Sequence, residues 1–318
     1  MRQYVLRRLL LTIPVLLGAT LVVFLAIRIV PGDVLFARMS EGGAVDISPE
    51  MRARLLHDLG LDVPGYVQYW RWITSMIQGD LGLSLVSREP VVGEILRRIP
   101  ISAELAVLAL AVSVLIAIPL GILSAVKQDS WVDHGARLLS IFWLSVPSFV
   151  IATAIIMLPA LWWRYAPPLG FTSFWDDPAR NLQKYLPAAI ALGALLSGVV
   201  TRLTRSTMLE VLREDYIRTA RAKGLQERLV LIRHGLKNAL IPVLTILGDQ
   251  FAALLGGTVI VETIFGIPGL GTLALSALHD KDYTMIQGVV LFFAAVHTML
   301  NLTVDLAYGW LDPRIHYQ

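Results

Sequence analysis

The chain contains no cysteine among its 318 residues. That excludes disulfides, thiolate metal sites and a cysteine nucleophile. Charge is scarce as well: 16% of residues are charged and 56% are hydrophobic, whereas soluble domains carry about 25% charged residues. The expected class is a polytopic membrane protein. No HExxH pattern occurs, and His57, His134, His234, His279, His297 and His316 are scattered. There is no GxSxG elbow. The glycine-rich stretch FGIPGLGT, Phe265 to Thr272, has no following Lys and so cannot be a phosphate loop, which needs GxxxxGK and a Ser or Thr. It reads as a tight turn. If ATP drives this protein, another chain must hydrolyse it. No catalytic, metal or cofactor-binding residues are assigned. A net charge of +3 is explained by basic loops on one membrane face rather than by nucleic acid.

What is present is apolar runs. A bilayer core needs about 20 apolar residues in a helix. The expected spans are Leu9–Val30, Ile101–Val126, Leu138–Leu161, Leu186–Val200, Ala239–Ile260 and Ile286–Tyr308. The fourth is the shortest. Arg2, Arg7 and Arg8 precede the first, and no small-residue cleavage site follows it, so it reads as an uncleaved span. Pro31 to Pro100 forms a long outer loop. Its stretches PEMRARLLHDLGL and VQYWRWITSMI are expected to be amphipathic helices, with Trp70 and Trp72 at headgroup level. Pro119, Pro147 and Pro242 lie in or beside spans and permit kinks.

Lys and Arg crowd the segment from Arg202 to Lys237, against Arg164, Arg180, Lys184 and Lys281 on the opposite loops. The positive-inside rule therefore places this segment and both termini in the cytoplasm. The expected organisation is residues 1–100 as an N-terminal span plus outer loop, and 101–318 as a five-span body with a cytoplasmic loop around 205–238. Polar groups at depth are Asp249 and Gln250 in the fifth span, and His297, Asn301 and Asp305 in the sixth. Asn301 and Asp305 share a helix face. Asp249, Gln250, Asn301 and Asp305 line a pathway or bond neighbouring helices.

The polar island from Glu214 to Pro242, EDYIRTARAKGLQERLVLIRHGLKNALIP, is the most distinctive stretch. A short helix starts at Asp215, and Gly224 ends it because glycine accepts a left-handed backbone. Ala220 and Ala222 are small enough for a partner to approach closely. Such a helix, held between two spans, can receive a push from a soluble motor. A solvated basic loop is the plainer reading of the same residues.

DYIRTARAKGL followed by RHGLKNALIPVLT resembles the cytoplasmic loop of ATP-binding-cassette importer permeases, in the first-permease type of the dipeptide, oligopeptide and nickel branch. RRLLLTIPVLLGATLVVFLAIRIVPGD, YWRWITSMIQGDLGLSL, LGGTVIVETIFGIPGLGTLALSAL and NLTVDLAYGWLDPRI extend the resemblance over nearly the whole chain. The broader superfamily places Glu-Ala-Ala six residues before the glycine; here Arg218, Thr219 and Ala220 stand there, with Gly224 retained. The resemblance implies an all-α type I importer permease in a bacterial cytoplasmic (inner) membrane. It implies a second homologous permease subunit, two ATPase subunits carrying ATP and Mg, and an extracytoplasmic solute-binding protein. The ATPase-docking element implied is Asp215, Tyr216, Arg218, Thr219, Ala220, Arg221, Ala222, Lys223, Gly224 and Leu225. The outer loop from Tyr69 to Leu85 is implied as a surface for the binding protein. A secondary carrier, seeded by Asp249 and Asp305, is the alternative.

Overall fold

A computed structural model describes residues 2–29, 62–168 and 170–311, with side chains over somewhat narrower limits. The stretch PEMRARLLHDLGL lies outside the described residues. The described chain is helical. An isolated antiparallel bridge between Leu83 and Pro90 is its one strand-like feature. Contacts divide it into two compact units, Arg2–Ile101 with Pro268–Met299, and Ser102–Ile267 with Leu300–Gln318.

The first of these units contains α1 (Arg2–Ile29), α2 (Gly65–Ile77), the start of α3 (Val91–Val126), α10 (Leu270–His279) and the start of α11 (Tyr283–Leu311). α2 is the expected amphipathic helix. Its Tyr69 hydroxyl lies 3.0 Å from Thr20 Oγ1, and the Tyr69 ring meets Phe24 edge-on at 5.1 Å. Trp70 is exposed, while Trp72 stacks at a tilt against Phe24. A core of Val91, Ile95, Leu270, Leu273, Ala277, Met285 and Val289 joins α3, α10 and α11. Asp282 organises the loop before α3. Its buried carboxylate accepts from Ser84 Oγ at 2.5 Å and from the backbone N–H groups of Leu85 and Met285 at 3.1 Å each. Asp282→Ala strands these donors, and each buried unpaired group costs about 1–3 kcal/mol. The expected outcome is a lower melting temperature in detergent, measured by differential scanning fluorimetry, and faster proteolysis between residues 80 and 90.

The other unit is built on α6 (Pro178–Leu212). Its start is set by Asp177, whose side chain accepts from Arg180 N at 3.0 Å, with Pro178 at the first helical position. Proline suits that position because its missing N–H would have no partner there. α6 is 35 residues long, so the span predicted as the shortest is the middle of a much longer helix. Arg202 and Arg205 are inside it because apolar packing, not local polarity, sets its end. It packs on α4 (Trp131–Ser145), α5 (Ser148–Trp163) and α8 (Lys237–Gly257), and meets α3 in a cluster that joins Ala117 and Val200. Small residues permit this. A Cβ on Gly193 would lie 2.6 Å from the Ala109 carbonyl oxygen, and one on Gly198 would lie 2.8 Å from that of Ser140. Close approach at small residues is the usual way membrane helices gain packing.

Among the described residues, four helices are long and apolar enough to cross a membrane: Val91–Val126, Pro178–Leu212, Glu227–Gly256 and Tyr283–Thr303. α1 supplies a shorter apolar stretch, Leu10–Ala26. The expected third span, Leu138–Leu161, is not one rod. It is the pair α4 and α5, bent by 99°. Pro147 causes the break: Val146 before it is extended (φ −88°, ψ 124°), as a residue preceding proline prefers. Pro119 and Pro242 instead stay inside α3 and α8. The fifth span ends earlier than predicted, at Gly257, and α9 (Val259–Phe265) follows after Thr258. Gly266, with φ +61°, ends α9, so the glycine-rich stretch begins as a helix-terminating turn.

Candidate functional site, a seated surface helix

Between α6 and α8 the chain forms α7 (Asp215–Ala222), a helical turn at Glu227–Leu229, and a π-helical segment at Val230–Leu236. Each follows from local chemistry. Glu214 is extended and precedes the helix; Asp215 supplies negative charge to its first turn and Arg221 positive charge to its last, matching the helix dipole. Lys223 closes it and Gly224 follows with φ +74°. Gly224 N donates to Arg221 O at 2.9 Å, and Leu225 N donates to Ala220 O at 3.4 Å. This pair of bonds is the Schellman ending that a left-handed glycine makes possible. Gly224→Pro removes a donor and demands φ near −65°, which the site cannot supply. Loss of uptake with normal membrane insertion is the expected result, read by transport assay and immunoblot. Gly224→Ala has no steric conflict and pays only the left-handed penalty of about 1–2 kcal/mol, so most uptake remains.

The helix has two faces. Ile217 and Ala220 point inward and are 0% and 7% exposed. They cluster with buried Val230 and with Leu212 at the end of α6. Their three-residue spacing places them on one side of the helix. Asp215, Tyr216, Arg218, Thr219, Arg221, Ala222, Lys223, Gly224 and Leu225 are exposed. Ala220 is turned toward its own chain, where its small size lets α7 sit against Val230 and Leu212. Ala222 is exposed.

Polar bonds fix the orientation. Asn238 Nδ2, in the first turn of α8, donates to Tyr216 Oη at 2.8 Å. Arg221 donates to Glu227 through Nη2 at 2.7 Å and Nε at 3.1 Å. That hydrogen bond raises the Arg221 pKa above the usual guanidinium value, so the pair stays charged. Arg218 Nη2 lies 3.2 Å from Asp215, and Thr219 Oγ1 donates to the Asp215 carbonyl at 2.9 Å. The outward face thus presents ordered cationic and hydroxyl groups.

The predicted polar residues at depth fall elsewhere. Gln250 is buried on α8, with Nε2 3.5 Å from the Leu196 carbonyl of α6, at the limit of a hydrogen bond. Asp249 beside it is exposed. Asn301 is half-buried in α11; Asp305 belongs to the same helix, and its side chain lies outside the described residues.

Sequence reasoning missed other buried ionisable groups. Glu262 is 0% exposed and accepts from Ser102 Oγ and Thr258 Oγ1, each at 2.7 Å. Lys184, counted above as an ordinary loop charge, is buried and donates to the carbonyls of Gly170 and Gly266 at 2.7 and 2.8 Å. Asp133 is fully buried against Arg205. Glu104 of α3, half-buried, was visible in the sequence as a lone carboxylate in the apolar run ISAELAVLAL. Asp133 was visible only as the third residue after a capping Ser130. Among the described residues no three His, Asp or Glu side chains converge to hold a metal ion.

Comparison with known proteins agrees with this architecture. Residues 117–317 match the family model "Binding-protein-dependent transport system inner membrane component", and residues 1–106 match "Binding-prot-dependent transport system membrane comp, N-term". The chain is 42% identical, over 100% of both chains, to the dipeptide transport system permease protein DppB of Escherichia coli (strain K12). It is 39% identical, again over 100% of both, to the glutathione transport system permease protein GsiC of Salmonella typhi. Among solved structures, the inward-facing MetNI methionine ABC transporter matches at a TM-score of 0.58 and 15% identity, over 70% of this chain and 99% of that chain. An amino acid ABC transporter with histidines matches at 0.50 and 16%, over 70% and 94%. These two establish the fold alone. The all-α architecture, the full-length relatives and the matched models together show that the chain belongs to the binding-protein-dependent transport system inner membrane components, the permease subunits of ATP-binding-cassette importers.

Proposed function

We propose that this permease forms half of a pathway for di- or oligopeptides, or a related small solute such as glutathione, and that α7 is where an ATPase subunit docks. The observation that carries the docking reading is the two-faced seating of α7. Ile217 and Ala220 anchor it inward, Tyr216 ties it to α8, and its exposed face offers Arg218, Thr219, Arg221, Ala222, Lys223 and Leu225. A helix anchored to two long spans can pass on a displacement that a loose loop would absorb. In this reading a second homologous permease completes the pathway, and two ATPases bind ATP and Mg. An extracytoplasmic solute-binding protein delivers the solute to the outer loop between Tyr69 and Leu85. α7 and both termini face the cytoplasm, in keeping with the basic residues of the 202–237 segment. Residues 1–100 act as anchor and outer platform, and 101–318 as the moving body. Peptide as the substrate class is supported by the substrates named for the full-length relatives.

The test is a mild-detergent pull-down of the tagged chain from native membranes with mass spectrometry. A stoichiometric ATPase bearing GxxxxGK[ST] together with a second permease is the expected result. A chain that purifies alone from well-solubilised membranes overturns the reading and returns attention to a secondary carrier.

A further inference from the structure

We propose that the Asp133–Arg205 pair is a positioning element that makes the turn between α3 and α4 move as one piece with α6 when α7 is driven; this rests on α7 being the ATPase-docking helix. One carboxylate gathers four donors. Asp133 Oδ1 accepts from Ser124 Oγ at 2.6 Å and Arg205 Nε at 2.7 Å. Oδ2 accepts from Arg205 Nη2 at 2.7 Å and from the backbone N–H of Asp129 at 3.0 Å. The carboxylate thereby joins the end of α3, the connecting turn, the start of α4, and α6. Asp129 has φ +60°, a left-handed conformation uncommon outside glycine, and Asp133 holds its N–H.

The placement is what gives the pair a role. Arg205 lies about two helical turns before the end of α6, and α6 leads through Arg213 and Glu214 directly into α7. Beside it, a Cβ on Gly121 of α3 would lie 2.6 Å from Thr204 Cβ, so the two helices are in close contact where the pair locks them. The Asp133 side chain is 0% exposed and that of Arg205 21%. A buried ion pair is poor at adding stability, and a well-packed apolar pair of similar volume often serves as well. What two parallel N–H···O bonds do add is a fixed orientation. The other exit from α7 runs through the π segment to α8. The geometry thus gives a stiff arm through α6, shared with the α3–α4 turn.

Because the chain has no cysteine, one reporter suffices: Gln128→Cys, on the exposed α3–α4 turn. Its rate of labelling by a hydrophilic maleimide is measured in the purified complex, without nucleotide and after trapping with ATP and vanadate. With the pair intact, the two rates differ. In Asp133→Leu/Arg205→Met the complex keeps its ATPase and its ATP turnover, while the ratio of rates falls by about fivefold or more, or to unity. Arg205→Lys keeps the charge but not the fork and gives an intermediate ratio. Asp133→Asn, which keeps the volume, covers the case in which the double variant does not assemble; its ratio falls too. An unchanged ratio in an assembled double variant or in Asp133→Asn overturns the proposal. So does a fully normal ratio in Arg205→Lys when the other variants merely assemble poorly. If the reporter in the unaltered complex shows no nucleotide dependence while the ATPase is bound and active, the stiff arm is again overturned. If no ATPase binds the unaltered chain, the docking reading itself is overturned instead.

Discussion

Ala220→Trp is expected to abolish solute uptake while leaving the chain inserted in the membrane at normal levels. Ala220 is 7% exposed and closed in by Ile217, Val230 and Leu212. An indole does not fit there without lifting α7 from its seat. Overpacking costs about 1–3 kcal/mol and sometimes more, and a free-energy change of that size moves a seated-to-unseated equilibrium about 5–150-fold. Ala222→Trp is the control on the same helix. Its side chain points outward, so the seat survives and the expected loss is of ATPase association. Protease protection of α7 and co-purification of the ATPase separate the two outcomes. Uptake at the unaltered rate in Ala220→Trp removes the argument that seating matters.

Gly193→Val is expected to prevent the body of the protein from assembling. The Cβ alone would lie 2.6 Å from the Ala109 carbonyl oxygen and 2.8 Å from Val112 Cβ. The nearest atom is backbone, so no rotamer change relieves the conflict, and α3 and α6 must move apart. Overpacking costs at the upper end, about 3 kcal/mol, are expected. Size-exclusion chromatography in mild detergent reads the result as aggregated or degraded protein. A monodisperse Gly193→Val preparation of normal yield contradicts the close approach of α3 and α6.

The spans were legible because lipid demands long apolar runs whatever the neighbours are. α7 was legible because its start and stop chemistry is local: an acidic first turn at Asp215 and a left-handed Gly224. What escaped was tertiary. Three prolines in similar apolar surroundings behave differently: Pro147 opens a 99° bend, while Pro119 and Pro242 continue their helices. Local sequence does not distinguish them; packing does. Ala220 and Ala222 read alike as small residues, since composition does not say which face of an eight-residue helix is buried. Asp133 and Arg205 are 72 positions apart, with nothing in either neighbourhood to announce the other.

The π segment at Val230–Leu236 has a consequence for chain length. A π turn spends more residues on the same rise than an α turn does. The segment joining α7 to α8 therefore holds slack. Relaxing to α geometry would feed out chain, about 1.5 Å per released residue, and would turn everything before it by about 100° relative to α8. A one-residue deletion between Leu231 and Arg233 would use up that reserve, leaving the chain spanning the membrane with α7 facing another way.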